Sequence, residues 1–247
     1  MNDFIFYCAG SSRAQIYAAA FLMEEGVSFL PCPDHTVTHL LLPVPSFEAD
    51  GSIKGGGDLG DILNKLPRTV TVIGGNLNRP ELSEYEVLDL LEDPWYLARN
   101  ASITAHCALE LALEKLPVTL EKCPVLILGW GRIGKCLSDL LQKIGTPVTI
   151  AARNESDRAM ASALGHRAVD FSGIGQEVAR HRLLFNTVPQ GIVLQKPSPG
   201  CVKIDLASLP GLEGDDVIPA RGLPGKYAPE SAGKLIAESI IRLTREE

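Results

Sequence analysis

The sequence lacks several features that would place it in a specialised class of protein. No apolar run approaches the length that a bilayer crossing requires. The formal net charge of −7 argues against a nucleic-acid binder, which usually needs a concentrated basic surface. There is no repeat of solenoid length and no low-complexity tail. The acidic residue near the start of "MNDFIFYCAG" argues against a signal peptide. We therefore expect a cytoplasmic protein with no membrane or nucleic-acid partner.

Cysteine and histidine are also too scattered to indicate a metal centre. The six cysteines show no C-x-x-C spacing, and most of them stand in apolar segments. This usage is typical of buried thiols in a reducing compartment. His35 and His39 are four residues apart, but His39 falls in the run "TVTHLLLP", which is typical of a strand. We expect no metal site.

The chain of 247 residues is long enough for two small domains, each with its own core. Strand-like apolar runs alternate with segments of helical period in both halves. This alternation predicts an α/β fold, namely a doubly wound parallel-sheet Rossmann domain plus a smaller N-terminal α/β domain, joined by long helices. The N-terminal domain is predicted over residues 1–98, with a C-terminal helix over 229–247 packing back onto it. The linker helix and the Rossmann domain are predicted over 99–228, and Pro94 is expected to break the pattern before the linker.

The segment "LILGWGRIG" has the G-x-G-x-x-G spacing of a dinucleotide-binding turn. An apolar strand precedes it, a helix follows, and another strand ends roughly twenty residues later. The first glycine permits the tight turn, the second lets the backbone approach a pyrophosphate, and the third lets helix and strand pack closely. The pyrophosphate would lie at the helix N-terminus, where free N–H groups and the helix dipole favour an anion. The predicted contacts are Gly129, Trp130, Gly131, Arg132, Ile133 and Gly134.

The next strand ends "TIAARNES", without the Asp or Glu that usually binds the ribose of NAD. Arginines stand there instead, and a guanidinium can bind a 2′-phosphate bidentately, whereas a carboxylate would repel it. The sequence therefore favours NADP, with NAD as the alternative; a solvated surface arginine is the other interpretation. The predicted contacts are Ala152, Arg153, Asn154 and Arg158.

Two later strands also end in polar residues. The strand in "FNTVP" should end near the nicotinamide half of the cofactor, and "KIDLAS" places Asp205 at the end of the next strand. An ionisable group at such a strand end is a site candidate. An aspartate that begins a loop and bonds its own backbone is the alternative. The predicted contacts are Asn186, Thr187, Val188, Pro189, Asp205, Leu206 and Ala207.

A late histidine is the most informative absence. Two α/β domains joined by a long helix also suggest a 2-hydroxyacid dehydrogenase, whose late histidine acts as acid and base on the substrate hydroxyl. The last histidine here is His181, which precedes the "FNTVP" strand. The sequence therefore disfavours alcohol–ketone chemistry of that kind.

The later segments resemble the A subunit of dipicolinate synthase. The resemblance rests on "GWGRIGK", "AAR", "NTVP", "DLASLPG" and above all "ARGLPGKYAPESAGKLIAESI", in matching order. Together they cover most of residues 94 to 243. The N-terminal domain is similar more loosely, through "GSSRAQ" and "LLPVP". In the connecting helix, Thr104 matches the family, but His106 and Cys107 replace its Glu-Gly pair.

The resemblance implies NADP-dependent oxidation of a cyclic dihydrodipicolinate-type compound to dipicolinate. It also implies a role in sporulating bacteria and a second, flavoprotein-like subunit. Loss of hydride makes an aromatic ring, so the protein mainly has to position a ring carbon against the nicotinamide and remove a proton. No hydroxyl-activating histidine is needed. We also expect the chain to form homo-oligomers.

A small anionic dicarboxylate needs donors for its two carboxylates, best supplied by cations, hydroxyls and helix N-termini. The candidate substrate-binding residues are Ser11, Ser12, Arg13, Asn100, Thr104 and Ser231, with Lys226 as a further cation. The candidate catalytic residues are Asp205, His106 and Lys226. Solvated side chains and a helix cap at Ser231 are the alternative interpretations.

Two other functions stay open. The chain could be an NADP-dependent dehydrogenase or reductase of another small carboxylate. It could instead be a dinucleotide-binding subunit that completes or regulates a partner without turnover of its own. The replaced Glu-Gly pair favours this last alternative.

Overall fold

Two parallel β-sheets organise the chain. The computed structural model describes residues 4–194 and 197–245. It divides into an N-terminal unit, Met1–Asn100 with Pro224–Glu247, and a C-terminal unit, Ala101–Leu223. Each unit has a sheet whose strands are all parallel, with helices between several of them along the chain, which confirms the predicted α/β fold class.

The sheet of the N-terminal unit has five strands: β1 (Ile5–Cys8), β2 (Ser28–Leu30), β3 (His39–Leu41), β4 (Thr71–Gly74) and β5 (Glu86–Asp89). Its order is β2-β1-β3-β4-β5. The helices are α1 (Arg13–Glu24), α2 (Leu59–Leu63), the first part of α3 (Pro94–Lys115) and α8 (Pro229–Arg245). Buried residues such as Leu40 and Val72 form its core.

Helix α8 packs directly on α1. A Cβ added to Gly233 would lie 2.5 Å from the carbonyl oxygen of Ala14 and 2.4 Å from Cβ of Tyr17. A glycine at this point is what lets the two helices approach so closely. The last segment of the chain therefore belongs to the core of the N-terminal unit.

The linker helix begins at Pro94, earlier than the predicted start at residue 99. Helix α3 starts at Pro94, and the carboxylate of Asp93 accepts hydrogen bonds from the backbone N–H groups of Trp95 and Tyr96. Proline suits the first helical position because its missing N–H would have no helical partner there.

The sheet of the C-terminal unit has six strands: β6 (Val125–Leu128), β7 (Val148–Ala151), β8 (Arg167–Val169), β9 (Leu183–Asn186), β11 (Val202–Asp205) and β13 (Val217–Pro219). The helices are α4 (Arg132–Lys143), α5 (Glu155–Ala163), α6 (Ile174–Val178) and the start of α7 (Leu223–Tyr227), while β10 (Ile192–Val193) pairs with β12 (Leu212–Glu213). The order β8-β7-β6-β9-β11-β13 is that of a dinucleotide-binding fold, in which the strand order reverses between β6 and β9. Ligands of such folds bind at the carboxyl ends of the strands at this switch point.

Across residues 4–194 and 197–245, no helix has both the length and the apolar character needed to span a membrane.

Candidate active site

The glycine turn after β6 forms the floor of the candidate cofactor site. Gly129 has φ +100°, a conformation that favours glycine, and a Cβ there would meet Oγ1 of Thr187 at 2.4 Å. A Cβ on Gly134 would lie 2.5 Å from the carbonyl oxygen of Gly129, so this glycine lets α4 pack against the turn. Each of these two glycines has a steric reason within the fold.

Gly131 is different, because a Cβ at this residue would meet no atom within 4 Å. It is the N-cap of α4 and makes no side-chain capping bond. No side chain covers the start of α4 at this residue, and the unpaired N–H groups of a first helical turn suit the pyrophosphate of a dinucleotide. The uncovered start of α4 therefore fits a nicotinamide dinucleotide.

The other residues of the motif divide into exposed and buried ones. Arg132 is exposed and Ile133 half-buried on the first turn of α4. Trp130 is buried, with its ring edge-on to the imidazole of His166 at 5.8 Å between centroids. Burial lowers the pKa of His166. Within the described part of the chain, the indole N–H of Trp130 has no hydrogen-bond partner.

Arg153 and Arg158 differ in their surroundings at the end of β7. Arg158 donates hydrogen bonds to the carbonyl oxygens of Ala152 and Arg153, at 2.8 and 2.6 Å, and to Asp170 at 2.8 Å. Hydrogen bonds from Ser172, and the charge of Arg158, hold the pKa of Asp170 below its usual range. Arg158 is thus engaged within the protein, and its charge offsets that of Asp170.

Arg153 itself is exposed. Its guanidinium lies 5.1 Å from the ring centroid of Phe171 and donates a hydrogen bond to Oε1 of Gln190. Asn154 caps α5, its side-chain oxygen accepting from the N–H of Ser156 at 2.8 Å. Of the residues predicted at this strand end, Arg153 presents the cation that a 2′-phosphate could reach.

A buried network holds the ends of β9 and β11. The carboxylate of Asp205 accepts hydrogen bonds from Asn186 Nδ2 at 2.7 Å, from the N–H groups of Ala207 and Gly211 at 3.3 and 2.8 Å, and from Arg221 at 3.2 Å. Asp205 is 2% exposed. The bond from Ala207 is the local backbone bond that we expect if Asp205 serves to begin a loop. Four donors occupy the carboxylate oxygens, an arrangement that favours a positioning role over that of a base.

The loop after β9 lies beside the glycine turn. Thr187 donates from its backbone N–H and its hydroxyl to the carbonyl oxygen of Leu128, at 2.9 and 2.8 Å. Asn186 is fully buried and bonds to both backbone groups of Val188, so its side chain shapes the loop. Val188 is half-buried and Pro189 exposed, whereas Leu206 and Ala207 are buried.

In the N-terminal unit, several predicted substrate residues gather at the start of α1. Ser12 is the N-cap, its hydroxyl accepting from the N–H of Gln15 at 3.1 Å. Arg13 is exposed and donates to the carbonyl oxygen of Lys226 at 3.3 Å. Ser11 and the side chain of Lys226 are also exposed. This end of the unit therefore offers two cations and two hydroxyls.

The remaining candidates lie on helices. Ser231 is exposed on the first turn of α8. Asn100 is half-buried, Thr104 buried and His106 exposed along α3.

Sequence reasoning missed four residues that complete these strand ends. They are Phe171, Gln190, Gly211 and Arg221. All four follow strands of the C-terminal sheet. Phe171, Gln190 and Arg221 contact partners that are 16 to 37 residues away in sequence, and Gly211 packs against the loop after β9. Position after a strand is the signal that could have suggested them.

The chain is similar to known proteins along most of its length. No protein-family model matches the chain. The A subunit of dipicolinate synthase from Bacillus subtilis (strain 168) is 23% identical over 237 residues, which cover 87% of this chain and 80% of the relative. The crystal structure of the corresponding protein from Bacillus halodurans superposes with a TM-score of 0.84 at 21% identity, covering 98% of both chains. A transhydrogenase structure from Sinorhizobium meliloti gives a TM-score of 0.72 at 14% identity, covering 97% of this chain and 93% of the other.

The solved structures establish the fold. They confirm the predicted Rossmann-type architecture. In sequence and in fold, the chain is similar to the A subunit of dipicolinate synthase, as its motifs predicted.

Proposed function

We propose that the chain is an NADP-dependent oxidoreductase that converts a dihydrodipicolinate-type cyclic dicarboxylate into dipicolinate. The observation that carries the proposal is the open N-terminus of α4 at Gly131, in a chain that is similar to a dipicolinate synthase protein along most of its length. The same fold in the absence of a late histidine supports aromatising oxidation over alcohol–ketone chemistry.

The preference for NADP rests on the end of β7. Arg153 is exposed there, and Asp170, the nearby carboxylate, is paired with Arg158. A 2′-phosphate would therefore meet the exposed guanidinium of Arg153, whose partner in the structure is the neutral amide of Gln190. We expect Arg153→Ala to weaken NADP about ten- to a hundredfold, the loss of a charge-assisted hydrogen bond. Arg182→Ala, which removes an exposed charge at the opposite end of β9, is the matched control. Equal loss of NAD and NADP affinity in Arg153→Ala would contradict the preference.

The cations of the N-terminal unit suit the two carboxylates of the substrate. Arg13 and Lys226 would bind them as ion pairs, and Ser11, Ser12 and Ser231 would add hydroxyl donors. Asn100 and Thr104 are the polar candidates on α3. These residues act by binding and orienting the ring.

The oxidation removes one hydride and one proton from the ring. Bound NADP supplies the acceptor for the hydride. The proton passes to a base of the chain, for which His106 is the exposed candidate, while Lys226 acts as a cation toward the substrate. Because the oxygens of Asp205 are occupied by four donors, we assign it the positioning of Asn186 and of the loop at Gly211.

The direct test supplies the aldehyde–pyruvate condensation product and NADP, with and without a second, flavoprotein-like partner protein, and follows the ultraviolet absorbance of dipicolinate. We expect turnover, with His106→Ala lowering kcat by about a hundredfold or more if His106 is the base. Arg68→Ala, which removes an exposed arginine of the N-terminal unit, is the control.

Two outcomes separate the alternatives. Turnover of another small carboxylate but not of this substrate would identify a different NADP-dependent dehydrogenase. NADP binding without turnover in either mixture would identify a non-catalytic subunit, which the His106–Cys107 replacement favours.

A further inference from the structure

One side-chain contact crosses the candidate cofactor groove. Arg153, two residues beyond β7, donates from Nη2 to Oε1 of Gln190, four residues beyond β9. Both side chains are exposed, and Phe171 supports the guanidinium from one side.

The sheet order makes this contact significant. In the sheet, β6 pairs with β7 on one side and with β9 on the other. The Arg153–Gln190 contact therefore joins loops on either side of the strand that leads into the glycine turn. A dinucleotide in this fold lies along the carboxyl edge of the sheet across the same strand. The contact and the bound dinucleotide thus need the same space.

We propose that Arg153 and Gln190 form a latch over the dinucleotide groove, and that the latch has to open before cofactor binds. Opening breaks the bond between Arg153 and the neutral amide of Gln190. NADP restores a partner to the guanidinium through its 2′-phosphate, a stronger charge-assisted bond, whereas NAD restores none. Gln190 is in this sense a positioning residue that lowers the affinity for both cofactors and holds Arg153 beside the groove.

The proposal predicts that Gln190→Ala tightens the binding of NADP and NAD alike. The affinity for each cofactor should rise about two- to fivefold. This factor corresponds to the weak end of the net free energy of one hydrogen bond, because both partners are exposed. Gln176→Ala, which removes an exposed glutamine of α6, is the matched control and should change neither affinity. Gln190→Glu pairs a carboxylate with Arg153, so it should weaken both cofactors, and NADP more than NAD.

A double-mutant cycle followed by calorimetric titration tests the latch. If the latch exists, Arg153→Ala tightens NAD by the same factor as Gln190→Ala, and the double variant gains nothing further. Unchanged NAD affinity in Gln190→Ala, or additive gains in the double variant, would overturn it. Weaker binding of both cofactors in Gln190→Ala would also overturn it, since Gln190 would then hold the bound cofactor.

The latch rests on the proposed cofactor site, and the same cycle separates the two failures. If Arg153 does not bind the 2′-phosphate, Arg153→Ala tightens NADP and NAD equally, which contradicts the NADP preference while supporting the latch. If the latch is wrong but the preference right, Gln190→Ala changes nothing and Arg153→Ala weakens NADP alone.

Discussion

The two units begin in the same way and differ at one decisive turn. In each, the first strand leads through a glycine of positive φ into a helix, at Gly10 (φ +75°) and at Gly129 (φ +100°). The helix after Gly10 is capped by Ser12, whose hydroxyl accepts from the N–H of Gln15. The helix after Gly129 is capped by Gly131, which has no side chain and faces open space.

The two turns share the strand–turn–helix geometry and differ in the N-cap residue. We infer that the N-cap residue decides whether such a turn can bind an anion against the backbone. The turn in the N-terminal unit is also closed from the side, since a Cβ on Gly55 would lie 2.3 Å from the backbone nitrogen of Ser11. Free N–H groups and an open approach are found together at Gly131. We therefore propose that the pyrophosphate binds in the C-terminal unit.

The largest expected effect comes from closing the open turn. Gly131→Asp places a carboxylate where the pyrophosphate would lie, and two unit charges about 4 Å apart near a protein surface repel by about 4 kcal/mol. Dinucleotide affinity should fall about a thousandfold. Aspartate is a good N-cap, so the free energy of unfolding should hold or rise. Calorimetry measures the affinity, and urea denaturation measures the free energy of unfolding. An affinity within threefold of the parent would contradict the proposed difference between the two turns.

The reciprocal change in the N-terminal unit should affect stability and not cofactor. In Gly10→Ala the new Cβ would lie 2.4 Å from the carbonyl oxygen of Lys54, in a backbone conformation that side chains avoid. We expect a loss of about 2–4 kcal/mol in the free energy of unfolding. Gly145→Ala is the control, because Gly145 has φ +77° but open space at its Cβ position. It should lose only about 1–2 kcal/mol. Equal losses would show that close packing at Gly10 contributes nothing.

The smallest effect concerns the cap itself. Ser12→Ala removes the hydroxyl that accepts from Gln15, which should lower the free energy of unfolding by about 1 kcal/mol. NADP affinity should stay unchanged. A fall in NADP affinity in this variant would indicate that the first turn also contacts the cofactor.

The edges of both sheets were the part of the fold that the sequence did not predict. The strand-like runs of the sequence, which include "DFIFYCAG" and "TVTVIGG" in the N-terminal unit, correspond to β1, β3, β4, β6, β7, β9 and β11. These are the inner strands of the two sheets. The missed strands β2, β5, β8 and β13 are the four edges. Inner strands are covered on both faces and so read as continuous apolar runs, whereas edge strands here are short and partly exposed. Their pairing comes from the neighbouring strand, which local sequence does not encode.

The site divides in a similar way. The glycine motif could be recognised because its spacing is local and follows a predicted strand, and Gly129 and Gly134 each have a separate steric reason in the structure. The bonds of Asp205 to Arg221 and of Arg153 to Gln190 join residues 16 and 37 positions apart, and no local pattern specifies them. Their role depends on which strand ends the sheet brings side by side.

The most direct test of the central claim uses the position of the two tryptophans. Trp130 lies in the open turn and Trp95 in the N-terminal unit. In a Trp95→Phe variant, NADPH should quench the fluorescence of Trp130 by energy transfer and saturate at one molecule per chain, and Gly131→Asp in the same background should abolish the effect. Undiminished transfer in the Gly131→Asp variant, or NADPH binding by calorimetry with no quenching of Trp130, would contradict the assignment of the cofactor to this turn.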